Sequence, residues 1–218
     1  MGEVEIDSSG KQIIIRSNII TYGNHADEMI SKNIAEEIET MWNEPAAIIP
    51  FQKNDLRIVF RINWSFQPNI QPQEIYSDVN PQNNFFRIED FAPGNISFVD
   101  DINCNSGYFL KENLYKGSTT AAHEYGHTIG LRHPIQLDIR GRGNPGIMYP
   151  RGTLVDPQFQ YEPYKPAGQK GGTLNPVFRK VLLTDILDLK LNALSFNGKF
   201  AVLGAFTNIY HTALEPGL

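Results

Sequence analysis

The chain has 218 residues, 41% of them hydrophobic and 20% charged, which is enough for one domain with a sizeable core or at most two small ones. A net charge of −5 without any Lys/Arg cluster argues against nucleic acid as a partner. No apolar run approaches the ~18 residues of a membrane span, and the single cysteine, Cys104, excludes an internal disulfide framework or a multi-cysteine zinc site. In chain order, Gln12–Ile15 and Ile19-Ile20 read as β-branched strand material. His25 to Asn43 predicts a helix, with Ala26, Met29, Ile30, Ile34, Ile38, Met41 and Trp42 at helical spacing and Pro45 beyond its end. The stripe Met29, Ile34, Ile38 and Met41 is expected to pack into the core. Leu56–Ile62 alternates as a half-buried strand, and Gln67–Asn84, rich in Pro, Asn and Gln, reads as a surface loop.

Farther on, Ile96–Val99 and Tyr108–Leu110 are short strand candidates around a polar turn at Asp100–Gly107. Ser118 to Arg132 predicts a second helix, with Ser118 as its N-cap and Gly130 near its end. Seven prolines and seven glycines between Pro134 and Pro176 leave no room for a long regular element. Asn175-Pro176 then reads as an N-cap with proline at the first helical position. It opens a third helix striped by Phe178, Leu182, Ile186, Leu189 and Ala193. Phe200–Leu203 has strand character. Three helices with a few strands and long irregular segments define an α+β chain.

Of five histidines, three fall within eleven residues, His123-Glu124-Tyr125-Gly126-His127-Thr128-Ile129-Gly130-Leu131-Arg132-His133. Residues four apart share a helix face about 6 Å apart, so His123 and His127 are placed to bind one ion. Glu124, rotated by about 100°, sits beside them, within reach of a water on that ion. A third ligand six residues later would point away on the same helix, so the chain must leave it. Gly130 permits that departure, and Pro134 forces position 133 into extended geometry. Three histidines without a fourth protein ligand form the open, catalytic zinc arrangement.

HExxHxxGxxH is the metzincin signature, and the segment fits it at every fixed position. Gly146-Ile147-Met148-Tyr149-Pro150, fifteen residues beyond His133, resembles the matrixin Met-turn, with Met148 as its methionine. Phe91–Asp101 resembles the matrixin segment containing the edge strand that holds substrate, and Leu182–Leu194 that family's C-terminal helix. The resemblance covers roughly 91–194. It implies a metzincin-like fold: a small mixed sheet with an active-site helix, a backing helix and a C-terminal helix after the Met-turn. It also implies one catalytic domain over 1–218, with an N-terminal subdomain of about 1–133 and a C-terminal one of about 134–218. Pro150 stands where astacins and serralysins place a metal-reaching tyrosine, so no tyrosine ligand is expected.

The expectation is a zinc-dependent endopeptidase with one catalytic Zn²⁺ on His123, His127 and His133 and Glu124 as general base. Its substrate is protein or peptide, lying along Ile96, Ser97 and Phe98, with Tyr149 and Pro150 in the pocket wall. A calcium site is hinted at only by Asp100 and Asp101, and Cys104 reads as an inert small side chain outside any latency motif. Gly126 inside a helix points to tight packing beneath the site. The expected state is a monomer. The acidic N-terminus lacks the basic and apolar regions of a signal peptide, so secretion or export by another route is expected. Two alternatives stay open: a zinc-stabilised binding module that cleaves nothing, and a zinc hydrolase acting on a non-peptide. A third concerns context, since a lone domain of this kind loosely resembles the metallopeptidase toxin domains of bacterial polymorphic (Rhs-type) proteins.

Overall fold

The computed structural model describes residues 1–7 and 9–215. Strands β1 (Gly2–Ile6) and β2 (Gln12–Tyr22) are followed by helix α1 (Glu28–Asn43), strands β3 (Ile48–Phe51) and β4 (Asn54–Phe66), the short helix α2 (Pro72–Tyr76) and β5 (Asn83–Glu89). Then come β6 (Phe98–Val99), β7 (Ser106–Leu110), α3 (Thr120–Thr128), α4 (Leu183–Asp188) and β8 (Phe200–Leu203). The architecture is mixed α+β. The sheet, however, has eight strands rather than a few, in the order β3-β4-β2-β5-β7-β6 with β1 and β8 branching from β2.

The length of β2 explains the branch. One edge runs parallel to β4 from Gln12 to Thr21, while the other is shared, Ile13–Arg16 pairing with antiparallel β1 and Asn18–Tyr22 with parallel β5. The two apolar pieces expected at Gln12–Ile15 and Ile19-Ile20 are thus one strand. The polar Arg16, Ser17 and Asn18 continue it because backbone pairing on both edges outweighs their composition. At the far end β7 pairs with β5 in parallel and with β6 in antiparallel, and among the described residues no further strand pairs with β6.

Helix α1 starts three residues later than expected because Asp27 caps it, its carboxylate accepting from the Ile30 N–H at 2.7 Å. Ile34, Ala35, Ile38 and Trp42 face the core, whereas Met29 is 73% exposed and leaves the expected stripe. Trp42 packs against Phe60 of β4 and edge-on against Tyr125 of α3, and its indole N–H donates to the Ala122 carbonyl at 3.1 Å. The helix therefore clamps α3 against the sheet, and Tyr125 completes the clamp through its hydroxyl, 2.8 Å from the Ser17 Oγ of β2.

Helix α3 is shorter than the expected 118–132. Thr119, at φ 60°, precedes it in the left-handed region and gives it no side-chain cap. Glu37 of α1 supplies the cap from across the interface, accepting from the Ala122 N–H at 3.2 Å. Burial raises the pKa of this carboxyl, while the N–H groups of Ala122, Ala121 and Thr119 pull it back down. The third predicted helix is broken. Asn175 caps only a 3₁₀ turn at Pro176–Phe178, and the Lys180 N–H is drawn to the Pro145 carbonyl at 3.0 Å. Helix α4 starts after that bridge, its first turn held by Asp185, which accepts from the Leu182 N–H at 2.7 Å. The Pro/Gly-rich 134–176 segment holds a small core of its own, Ile139, Val155 and Leu174, tied by bridges at Asp138–Leu154 and Gln160–Leu174.

Candidate metal centre

Helix α3 carries His123 and His127 one turn apart, and its exit delivers the third imidazole. Gly130 adopts φ 103°, the left-handed conformation anticipated for the departure, and the Leu131 N–H folds back onto the Gly126 carbonyl at 2.9 Å. The extended segment beyond returns His133 to the helix face. Its Nε2 lies 3.0 Å from that of His123 and 3.1 Å from that of His127. These three are the sole group of three or more metal-ligating side chains converging among the described residues.

The second nitrogens settle the tautomers. His123 Nδ1–H donates to the Ile147 carbonyl at 2.7 Å and His127 Nδ1–H to the Leu131 carbonyl at 2.8 Å. Carbonyls only accept, so both Nε2 atoms present lone pairs to the centre. Lone pairs crowded to about 3 Å repel unless a proton or cation lies between them. Tetrahedral zinc at about 2.05 Å from each nitrogen would place them about 3.3 Å apart. Burial, the largest cause in each case, lowers the pKa of all three rings, that of His133 to about 4. The lowered values favour the neutral imidazoles that metal binding would require. The donor set fits a transition metal, and three nitrogen ligands leave a fourth position open.

Glu124 shares a cleft of about 490 Å³ with the three histidines. It is 7% exposed, and burial pushes its carboxyl up to about 8, against the opposing pull of Arg179, the Val99 N–H and Arg151. Beneath α3, Met148 is 3% exposed, in the turn closed by the Tyr149 N–H donating to the Gly146 carbonyl. A methyl built on Gly126 would overlap the Met148 sulfur and come within 3.3 Å of Trp42. The turn and the helix thus touch where glycine removes a side chain, and the same turn offers Ile147 O to His123.

The expected substrate contacts separate. Ile96, Ser97, Phe98 and Pro150 line the cleft, with the edge strand β6 along one wall. Ser97 is 4% exposed, and its Oγ accepts from the Leu110 N–H at 3.1 Å, bracing the strand from inside. Tyr149 does not line the cleft, packing instead with the Ile139–Val155–Leu174 cluster. Asp100 faces His211 at 2.8 Å and Asp101 accepts from the Ile102 N–H, so neither joins a cation cluster. Cys104 is buried away from the cleft, its thiol pKa raised by burial. Sequence reasoning missed Arg179, Arg151 and Glu37. Glu37 had a signal, an acid at helical spacing between Ile34 and Met41; the arginines had none.

The chain matches no protein-family model and no curated protein. Among solved structures it aligns with archaemetzincin from Methanopyrus kandleri over 81% of its own length and 95% of that chain, at 11% identity and a TM-score of 0.40. That likeness is too slight to bear on the site, whose chemistry rests on its own residues. Among the described residues no helix is long and apolar enough to cross a membrane.

Proposed function

We propose that this chain is a zinc-dependent endopeptidase of the metzincin class, with His123, His127 and His133 as the metal ligands and Glu124 as the catalytic base. One observation carries the reading: three Nε2 atoms converge on one point, in a cleft shared with a buried carboxyl and walled by the edge strand β6. Bound zinc supplies Lewis-acid activation of water and of the scissile carbonyl. Glu124 takes the proton from the attacking water and passes it to the leaving nitrogen. Against the burial that opposes it, Arg179, the Val99 N–H and Arg151 favour the carboxylate form that accepts this proton. The edge strand β6 binds the peptide in extended form by strand addition, with Ile96 and Phe98 beside it and Pro150 opposite. No serine or cysteine nucleophile is used, and Cys104 plays no part.

In this reading the 146–149 turn is a Met-turn, whose carbonyl at Ile147 orients His123 while Met148 supports Gly126. The whole of 1–218 serves as one catalytic unit acting as a monomer, with the parts before and after His133 forming opposite walls of the cleft. The test combines elemental analysis with a peptide assay. About one zinc per chain, lost on His127→Ala, together with peptide cleavage that Glu124→Gln removes, supports the proposal. A chain that takes up no transition metal contradicts it. Zinc uptake without cleavage would instead leave the metal with the stabilising role of a binding module.

A further inference from the structure

Two buried arginines in this chain are treated differently. Arg87 is 7% exposed, pairs with Glu89, donates to the His211 carbonyl at 3.0 Å and lies 5.7 Å from the centroid of the Tyr22 ring. Arg179 is 6% exposed, yet among the described residues no hydrogen bond or ion pair engages its guanidinium, and its Nε is wholly buried without a partner. Glu124 acts on this cation only through space, without a hydrogen bond or ion pair, and a buried guanidinium whose Nε has no acceptor is a poor filler for a core. Arg179 also lines the catalytic cleft together with Glu124. Arg151 stands on the same cleft at its exposed mouth, its Nη2 tethered to Asn113 Oδ1 at 3.1 Å. Burial lowers the Arg179 pKa to about 10; the nearby Glu124 carboxyl opposes that shift, and Arg151 adds to it.

We propose that Arg179, assisted by Arg151, is a specificity-determining residue that receives a substrate carboxylate next to the scissile bond. This rests on the peptidase reading above and names its substrate class: peptides carrying an acidic group within a residue or so of the cleaved bond. A planar guanidinium matches a carboxylate through two parallel N–H···O bonds, and an anion at this place supplies the hydrogen-bonded partner that the folded chain does not give it. The walls around it, Pro150, Gly152 and Val99, exclude water from one side and so strengthen the pair. The carboxylate has two possible sources in a peptide, the side chain of Asp or Glu or the free C-terminus of a short substrate. Both present the same two oxygens.

The test uses the zinc-loaded chain and two peptide sets. One carries internal Glu or Gln beside the cleavage point with amidated C-termini, and the other carries neutral side chains with a free or an amidated C-terminus. Cleavage is read as kcat/KM ratios, acidic over neutral, in wild type, Arg179→Gln and Arg179→Lys. Binding of the same fluorescein-labelled peptides is read by anisotropy in the Glu124→Gln background, with and without Arg179→Gln. We expect ratios of about 10- to 100-fold in favour of the carboxylate. They should collapse in Arg179→Gln and survive in part in Arg179→Lys, the set that shows them identifying the source. Should Arg179→Gln not fold, as judged by its thermal melt, Arg179→Lys carries the comparison, since loss of the bidentate fork must reduce the ratio. Cleavage with no acidic preference, or with a preference that Arg179 substitutions leave untouched, overturns the inference while sparing the peptidase reading. No cleavage but Arg179-dependent carboxylate binding does the reverse. Neither cleavage nor carboxylate-dependent binding overturns both.

Discussion

Gly126→Ala probes the contact between the histidine helix and the turn beneath it. In an exposed helix this change would stabilise by about 1 kcal/mol, because glycine is the poorer helix former. Here the new methyl would overlap the Met148 sulfur and sit 3.3 Å from Trp42, so it is hemmed on two sides in a region where Met148 is only 3% exposed. Overpacking of this kind costs about 1–3 kcal/mol, leaving a net loss of up to roughly 2 kcal/mol. For a chain of this size each kcal/mol moves the melting temperature by about 2–4 °C, so Tm should fall by up to roughly 8 °C. Removing the obstacle reverses the sign. In a Met148→Ala background the methyl enters the space the thioether left, and Gly126→Ala should then stabilise by about 1 kcal/mol or more. Denaturant unfolding of the four proteins, with chelator present so that metal affinity does not enter, reads the coupling directly. Additivity within about 0.5 kcal/mol would refute the proposed contact, as would a single Gly126→Ala variant more stable than wild type.

Glu37→Leu should destabilise by about 1–3 kcal/mol in thermal unfolding, since it orphans the Ala122 N–H in the first turn of α3, where the local Ser118 Oγ reaches only the Thr120 N–H. Asp185, which braces α4 and the turn at Ile147, is pushed by burial from an ordinary 3.8 to about 6. The native state thus binds its proton more tightly than the unfolded chain, and the stability it contributes is full below pH about 4 and falls as pH rises through about 6. The loss is roughly 2–3 kcal/mol, and between pH 4 and pH 7 the unfolding free energy of wild type should fall by about that much more than that of Asp185→Asn, the remaining fall coming from other buried carboxyls such as Glu37 and Glu124. Zinc in 1,000-fold excess over its Kd should stabilise the chain by about 4 kcal/mol. The accompanying rise in Tm, roughly 8–16 °C, should be reversed by chelator and absent in His127→Ala.

The parts of this fold that the sequence announces are those where local chemistry and tertiary environment agree. Helix α1 shows its stripe because one side alone meets the sheet, and the histidine segment is legible because its three imidazoles and the glycine that turns the chain back lie at fixed local spacing. Strand β5 was hidden for the opposite reason. Lying between β2 and β7, it is buried on both faces from Asn84 to Glu89, so it lacks the alternation of a half-exposed strand, and its Pro- and Asn-rich approach reads as loop. β1 was missed because Glu3 and Glu5 interrupt a strand that owes its place to pairing with β2 and β8. The third helix failed at Arg179–Leu182, where a bridge to the 145–146 backbone outcompetes helical propensity. At the site, the ligands and the carboxyl lie within one stretch of eleven residues. The arginines and Glu37 come to it from other elements, and no local pattern marks a residue whose meaning is set by long-range packing.

The most direct test of the central claim is cleavage of a proteome-derived peptide library by the zinc-loaded chain, read by mass spectrometry beside Glu124→Gln carrying the same zinc. We expect new peptide termini with wild type and a loss of about 10²–10⁴-fold in the variant, the contribution typical of a general base. Equal cleavage by both proteins, or no cleavage by a wild-type chain that holds its zinc, would contradict the assignment of a zinc peptidase with Glu124 as its base.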